Sequence, residues 1–246
     1  MIKFENTQVV GFESAIRGMR NPMNSWDKSD SDQGCNKYKK EYEVCKYCDS
    51  FNNEYEHGLC KPMKFVIGEN DLDLMKKLRT AGTDHRKYLR MINVYVDITA
   101  PLYWWKEFDT YKVGTVANSC STMHKIQGKE FTLDDFSHEH LDEDNLDYLG
   151  ETCLRLNYYR EKFNGCAVSK FVTSEECKQK KKDYWWQIIQ LLPSSYNQKR
   201  TVILNYEVLN NMYQARKSHK LDEWRVGFID WINTLPYTKE LITGEE

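Results

Sequence analysis

The sequence predicts a mixed α/β (α+β) fold, a small sheet with several helices, and three observations carry that prediction. Ile92-Asn93-Val94-Tyr95-Val96-Asp97-Ile98-Thr99 alternates apolar and polar residues with period two, the pattern of a half-buried strand. From about Asp142 to Phe163, Leu146, Leu149, Cys153, Leu156, Tyr159 and Phe163 recur at three-and-four spacing, the stripe of an amphipathic helix. A further helix runs from about Glu175 to Leu192 and stops at Pro193, because proline cannot continue it.

The remaining elements follow in order. Val9, Val10 and Phe12 lead into Ala15-Ile16-Arg17-Gly18-Met19-Arg20, either a strand and turn or a strand and the start of a helix. Residues 27 to 62 are polar and read as an inserted excursion. Asn70 or Asp71 is placed to cap a helix through about Ala81, with Leu72, Met75 and Leu78 on one face. Ala100-Pro101 ends the strand, and Pro101 suits the first turn of a helix made by Leu102 to Phe108. Residues 109 to 127 show neither period and read as a loop offering amides, hydroxyls and a few cations. Glu207 to Ser218 and Asp222 to Ile232 read as two more helices, the second with Trp224, Phe228 and Trp231 on one side. With no internal repeat, residues 1–246 are expected to form a single domain.

Composition narrows the partners. A net charge of −2 with 29% charged residues gives no reason to expect a nucleic-acid or membrane partner, so a phosphate ligand needs a local basic site. No apolar run approaches the ~20 residues of a membrane span. The first residues lack the pattern of a signal peptide, and a cytoplasmic location is expected. The 8 cysteines then read as reduced thiols. Cys35, Cys45, Cys48 and Cys60, with His57 among them, contain one C-x-x-C and are either a tetrahedral zinc site or four free thiols. Seven Trp and 16 Tyr fit planar ligands or oligomer interfaces, and an aromatic core explains them equally well.

Two blocks carry a family resemblance. The segment Ile92 to Ile126 resembles the strand, helix and signature loop of flavin-dependent thymidylate synthases, in which Ala-Pro precedes a helix and then an Arg-His-Arg, Ser, Ser-x-Arg motif. Leu192-Pro193 followed by Asn205, Leu209, Asn211, Arg216 and His219 resembles that family's second block, and His85 matches a histidine preceding its Ala-Pro strand. The resemblance implies a homotetramer with active sites between subunits. It also implies reductive methylation of dUMP to dTMP with FAD, methylenetetrahydrofolate and NADPH. It implies flavin contacts at His85, Lys112, Asn205 and Asn211, and pyrimidine-nucleotide contacts at Glu107, Asn118, Ser119, Cys120, Ser121 and Arg216.

The motif is degenerate in this chain. Thr110-Tyr111-Lys112 stands for Arg-His-Arg, Glu107 for a glutamine, Asn118 for an acid, Cys120 for serine, Thr122 for the arginine after it, and Glu207 for the arginine of Asn-x-Arg. Neither Thr nor Glu reproduces the planar guanidinium fork. Arg86, Lys87, Arg90, His124 and Lys125 are either replacements or solvated surface cations. A catalytically divergent nucleotide-binding protein on the same fold is therefore the alternative reading.

Single residues carry alternatives too. Cys120 is a nucleophile candidate, with His124 or Lys125 near enough in sequence to lower its pKa, or a small residue packed in a loop. Arg216 is a nucleotide ligand or the partner of Asp222 or Glu223, and Asn205 a flavin contact or a helix cap. Trp104-Trp105 and Tyr184-Trp185-Trp186 read as core, and Lys178, Lys180, Lys181 and Lys182 as a solvated helix face.

Overall fold

A computed structural model describes residues 2–33, 65–167 and 172–244. In chain order its elements are β1 (Lys3–Val10), α1 (Phe12–Arg20), β2 (Asp32–Gln33), β3 (Phe65–Val66), α2 (Glu69–Thr80), β4 (Asn93–Pro101) and α3 (Leu102–Phe108). They continue with β5 (Val116–Ser119), α4 (Thr122–Lys125), α5 (Glu143–Gly165), α6 (Ser174–Leu191), β6 (Asn197–Asn205), α7 (Tyr206–Arg216) and α8 (Ile229–Asn233). Four strands form one sheet in the order β1-β4-β6-β5, and β2 pairs with β3 in a second. β5 and β6 are antiparallel, with Val116 opposite Ile203 and Ser119 opposite Arg200. Among the described residues no helix is long and apolar enough to cross a membrane. Cys35, Cys45, Cys48, Cys60 and His57 lie outside the described residues.

The chain divides into two compact units. The first comprises Met1–Gln8, Tyr95–Leu204 and Ala215–Ile232. Its α5 is capped by Asp142, whose carboxylate accepts the Asn145 amide at 2.9 Å. Its α6 starts with a capping box, the Thr173 hydroxyl taking the Glu176 amide while the Glu176 carboxylate takes that of Thr173. The helical stripes then bury Leu149, Cys153, Leu156 and Ile188 against Ile126, Phe131 and Phe136. Each fully buried aliphatic side chain stabilises by about 2 kcal/mol. A second, aromatic cluster joins Trp104, Trp105, Phe108, Trp224 and Phe228, with Trp104 and Trp224 centroids 4.4 Å apart. Both tryptophans of Trp104-Trp105 are core, as the sequence predicts. In the other run, Trp185 packs on the α5/α6 core while Trp186 is 42% exposed, as successive helical positions about 100° apart require.

The second unit comprises Val9–Val94, Asn205–Gln214 and Asn233–Glu246. Gly11 opens α1 at φ 102°, and a Cβ there would lie 2.1 Å from the Met91 carbonyl oxygen, so only glycine fits. At the end of α1, Arg20 donates from Nε to Asp71 Oδ1 at 2.6 Å, and both residues are buried. The other Asp71 oxygen takes the Ser29 and Ser31 hydroxyls, each at 2.6 Å, which fastens residues 29–31 to α2. Burial alone would raise the Asp71 pKa, but the hydrogen bonds from Ser29, Ser31 and Arg20 outweigh it and hold the carboxyl below its ordinary value.

Several expectations are corrected. α2 starts one residue before Asn70 with Gly68 as its cap, because Asp71 turns inward to Arg20 instead of capping. The stretch 109–127 is not all loop: β5 forms there, held by pairing with β6 although all four of its side chains are exposed. Residues 32–33, within the polar excursion, pair with residues 65–66, just beyond it, as antiparallel strands.

Candidate functional site

Glu107 and Tyr111 reach one site because of how α3 is anchored. The Leu102 and Tyr103 amides donate to the Tyr196 and Ser194 carbonyls, both at 3.0 Å. Trp104, Trp105 and Phe108 turn into the core, which leaves Glu107 half-buried on the other side. Tyr111 follows four residues later, its amide on the Phe108 carbonyl at 3.0 Å. Arg216 at the end of α7 donates from Nη1 to Glu107 Oε2 at 2.6 Å and from Nε to the Tyr111 hydroxyl at 2.8 Å. Its guanidinium lies 4.7 Å from the Trp224 ring centroid, a cation–π contact. His219 Nε2 stands 3.2 Å from the same Glu107 oxygen. Only 15% of the Arg216 side chain is exposed, so the fork is oriented before any ligand arrives. These two bonds engage two of the five N–H donors of an arginine.

The second unit holds the other cluster. Asn205 is buried and its side chain accepts the Val208 amide at 3.0 Å, which makes it the cap of α7. Glu207, two residues on, is buried and accepts from Arg86 Nε at 3.4 Å and from Arg90. Arg86 also donates from Nη2 to Asn211 Oδ1 at 3.2 Å. The acid here thus has two guanidinium partners. His85 precedes these arginines and is exposed.

The other sequence candidates also lie in the first unit. Lys112 is exposed in the first unit, as are Asn118 and Ser119 on β5. Cys120 is an exposed free thiol whose amide donates to the Lys199 carbonyl at 2.9 Å and whose carbonyl accepts from Gln198 Nε2 at 2.9 Å. Ser121 caps α4 by accepting the His124 amide at 3.1 Å. Arg216 pairs with Glu107, neither of the partners considered for it, since Asp222 is taken by Arg225 and Glu223 by Tyr103. Sequence reasoning missed the part of Trp224, which reads as a core residue and is one, while also flooring the arginine.

A cleft of ≈ 250 Å³ in the first unit is lined by Glu139, His140, Asp222 and Glu223 over Ile2 and Val226. Its carboxylates repel a phosphate. Beside it Tyr103 donates to Glu223, and burial together with that acid pushes its phenol up to about 12.

With the geometry in view, comparisons identify the architecture. No family model matches the sequence, and no curated protein does. Among solved structures, thymidylate synthase X from Helicobacter pylori, crystallised with FAD and dUMP, superposes with a TM-score of 0.56 at 14% identity. The match covers 99% of this chain and 97% of that one. This chain has the flavin-dependent thymidylate synthase fold. A second crystal structure of that Helicobacter pylori enzyme complexed with FAD and dUMP gives 0.57 at 14% identity, covering 98% of its length. The architecture is therefore shared over almost the whole chain at 14% identity.

Proposed function

We propose that the protein binds a pyrimidine nucleotide on a thymidylate synthase-like fold, with Arg216 as the anion-facing group. The carrying observation is the oriented Arg216 fork, braced by Glu107, Tyr111 and Trp224 with donors to spare. The Ser119 and Ser121 hydroxyls are the neutral donors of the motif segment, and Glu107 acts by positioning Arg216.

The residues present do not fit a tightly held flavin dinucleotide. Its pyrophosphate calls for cations, yet the motif positions 110 and 122 are threonines, and Glu207 already engages Arg86 and Arg90. Each charge-assisted hydrogen bond that is lost costs about 1.5–3 kcal/mol.

Titration calorimetry of the purified chain with dUMP and other pyrimidine monophosphates tests the proposal. Binding in the micromolar range that Arg216→Ala weakens at least tenfold is the expected result. Heat-silent titrations with every nucleotide would leave only the fold.

A second reading is favoured by the structural neighbours, both of them FAD and dUMP complexes matched almost end to end. It makes the chain a homotetrameric synthase of dTMP that uses methylenetetrahydrofolate and NADPH. A stoichiometric flavin in the visible spectrum, together with rapid dTMP formation, would establish it in place of the first.

A further inference from the structure

We propose that Cys166 and Cys177 form a reversible disulfide that staples the connection between α5 and α6. Cys166 is the residue that ends α5, and Cys177 sits in the first turn of α6, where its amide donates to the Thr173 carbonyl at 3.0 Å. Their sulfurs stand 2.9 Å apart, and the Cys177 sulfur also lies 3.3 Å from the Cys166 carbonyl oxygen. A disulfide bond measures about 2.0 Å, so the pair needs to close by only about 0.9 Å.

Packing imposes the approach. α5 and α6 share one core through Leu149, Leu156 and Ile188, so neither helix end is free to drift from the other. Of the described cysteines, Cys120 lies on the exposed turn after β5 and Cys153 is buried within α5. Cys177 is buried and Cys166 half-buried, which makes Cys166 the sulfur that an outside reagent meets first. Contact with Cys177 pushes the Cys166 thiol up, against the opposing charges of Lys181 and Lys180. The two sulfurs are thus placed for an outside oxidant to join them and a reductant to part them, a switch rather than a permanent bridge.

The oxidant is a low-molecular-weight disulfide of the glutathione class. The Cys166 thiolate attacks one of its sulfurs and expels a thiolate, leaving a mixed disulfide. Cys177 then gives its proton to solvent, attacks the Cys166 sulfur and expels the second small thiolate. The protein loses two electrons and two protons, and one small disulfide becomes two thiols.

The full-length chain, treated with oxidised glutathione, blocked with iodoacetamide and digested, should yield one cross-linked peptide pair containing Cys166 and Cys177. Its melting temperature should rise by about 5–10 °C, the size expected for closing so short a loop, and return with dithiothreitol. Cys177→Ser should stop at a Cys166–glutathione adduct while melting, in the reduced state, within about 2 °C of the reduced parent. Free, alkylatable Cys166 and Cys177 after oxidation would overturn the proposal. So would a bond from either residue to another cysteine, or a glutathione adduct that persists on Cys166 with Cys177 present.

Discussion

The protein holds two arginine–carboxylate clusters of opposite design. At Arg216 one guanidinium is served by one acid, a phenol and an indole face, so the cation is the centre and Glu107 cancels its charge. At Glu207 the acid is the centre and two guanidiniums surround it, so one positive charge remains. An acid is tolerable in a buried position where neighbouring helical turns can supply cations. The comparison also shows why counting charges along a motif misleads: the same residue types orient a cation in one place and bury an anion in the other.

The largest expected effect breaks the second cluster from its cationic side. Arg86→Ala with Arg90→Ala strands the buried Glu207 carboxylate, whose side chain is 9% exposed. Urea unfolding should show a loss of about 3–5 kcal/mol. Glu207→Leu should cost clearly less, because Arg90 is 58% exposed and can turn to water. Equal losses for the two variants would mean that the acid is not the centre of that cluster.

A pair with no exposed partner sharpens the scale. Arg20→Met leaves Asp71 buried with only neutral donors, the Ser29 and Ser31 hydroxyls and the Asp30 and Ser31 amides, and should destabilise by about 2–4 kcal/mol at neutral pH. Because the Asp71 pKa is lowered in the folded state, its stabilisation is present above the ordinary carboxyl range and is lost as pH falls through the folded value. Acid titration of stability should therefore show a fall below about pH 4 that is shallower in Asp71→Asn, where that contribution is already missing. A parent and variant with parallel acid profiles would remove the assignment.

The smallest effect on stability, and the most informative for binding, comes from Glu107→Gln. Replacing the carboxylate keeps a hydrogen-bond acceptor near Arg216 but removes the cancelling charge, so stability should change by no more than about 1 kcal/mol. Nucleotide affinity should rise roughly tenfold, a difference of about 1.4 kcal/mol. Affinity that falls instead would mean that the carboxylate's hold on Arg216, or its direct contact with the ligand, outweighs the cancelled charge.

The fold was legible wherever a period was long. α5, α6 and β4 were read from their stripes and alternation, and their ends agree closely with the caps and with Pro101 and Pro193. β5 escaped because a strand with four exposed side chains owes its existence to its neighbour, which no local pattern records; β6, which buries Gln198, Val202, Leu204 and Asn205, escaped although it alternates in part. At the site, Arg216 and Glu107 were each legible, but their bond was not: it joins residues far apart in sequence, brought together by the anchoring of α3 and the last turn of α7. Asn205 was legible as a cap, since a short amide side chain opening a helix has an immediate use for its oxygen.

Sheet order also sets when the protein can fold. The neighbours β1, β4 and β6 begin at Lys3, Asn93 and Asn197, so every pairing among them waits for roughly a hundred further residues. On the ribosome β1 emerges first and has no strand to join until β4 is made, and β5 must wait for β6. The α5/α6 pair closes over a short connection and can form while the sheet is still incomplete. Synthesis therefore exposes unpaired strand edges for most of its duration, and the polar residues of β1, Lys3, Glu5, Asn6, Thr7 and Gln8, are suited to that wait: they make the first strand a poor template for another copy of the nascent chain.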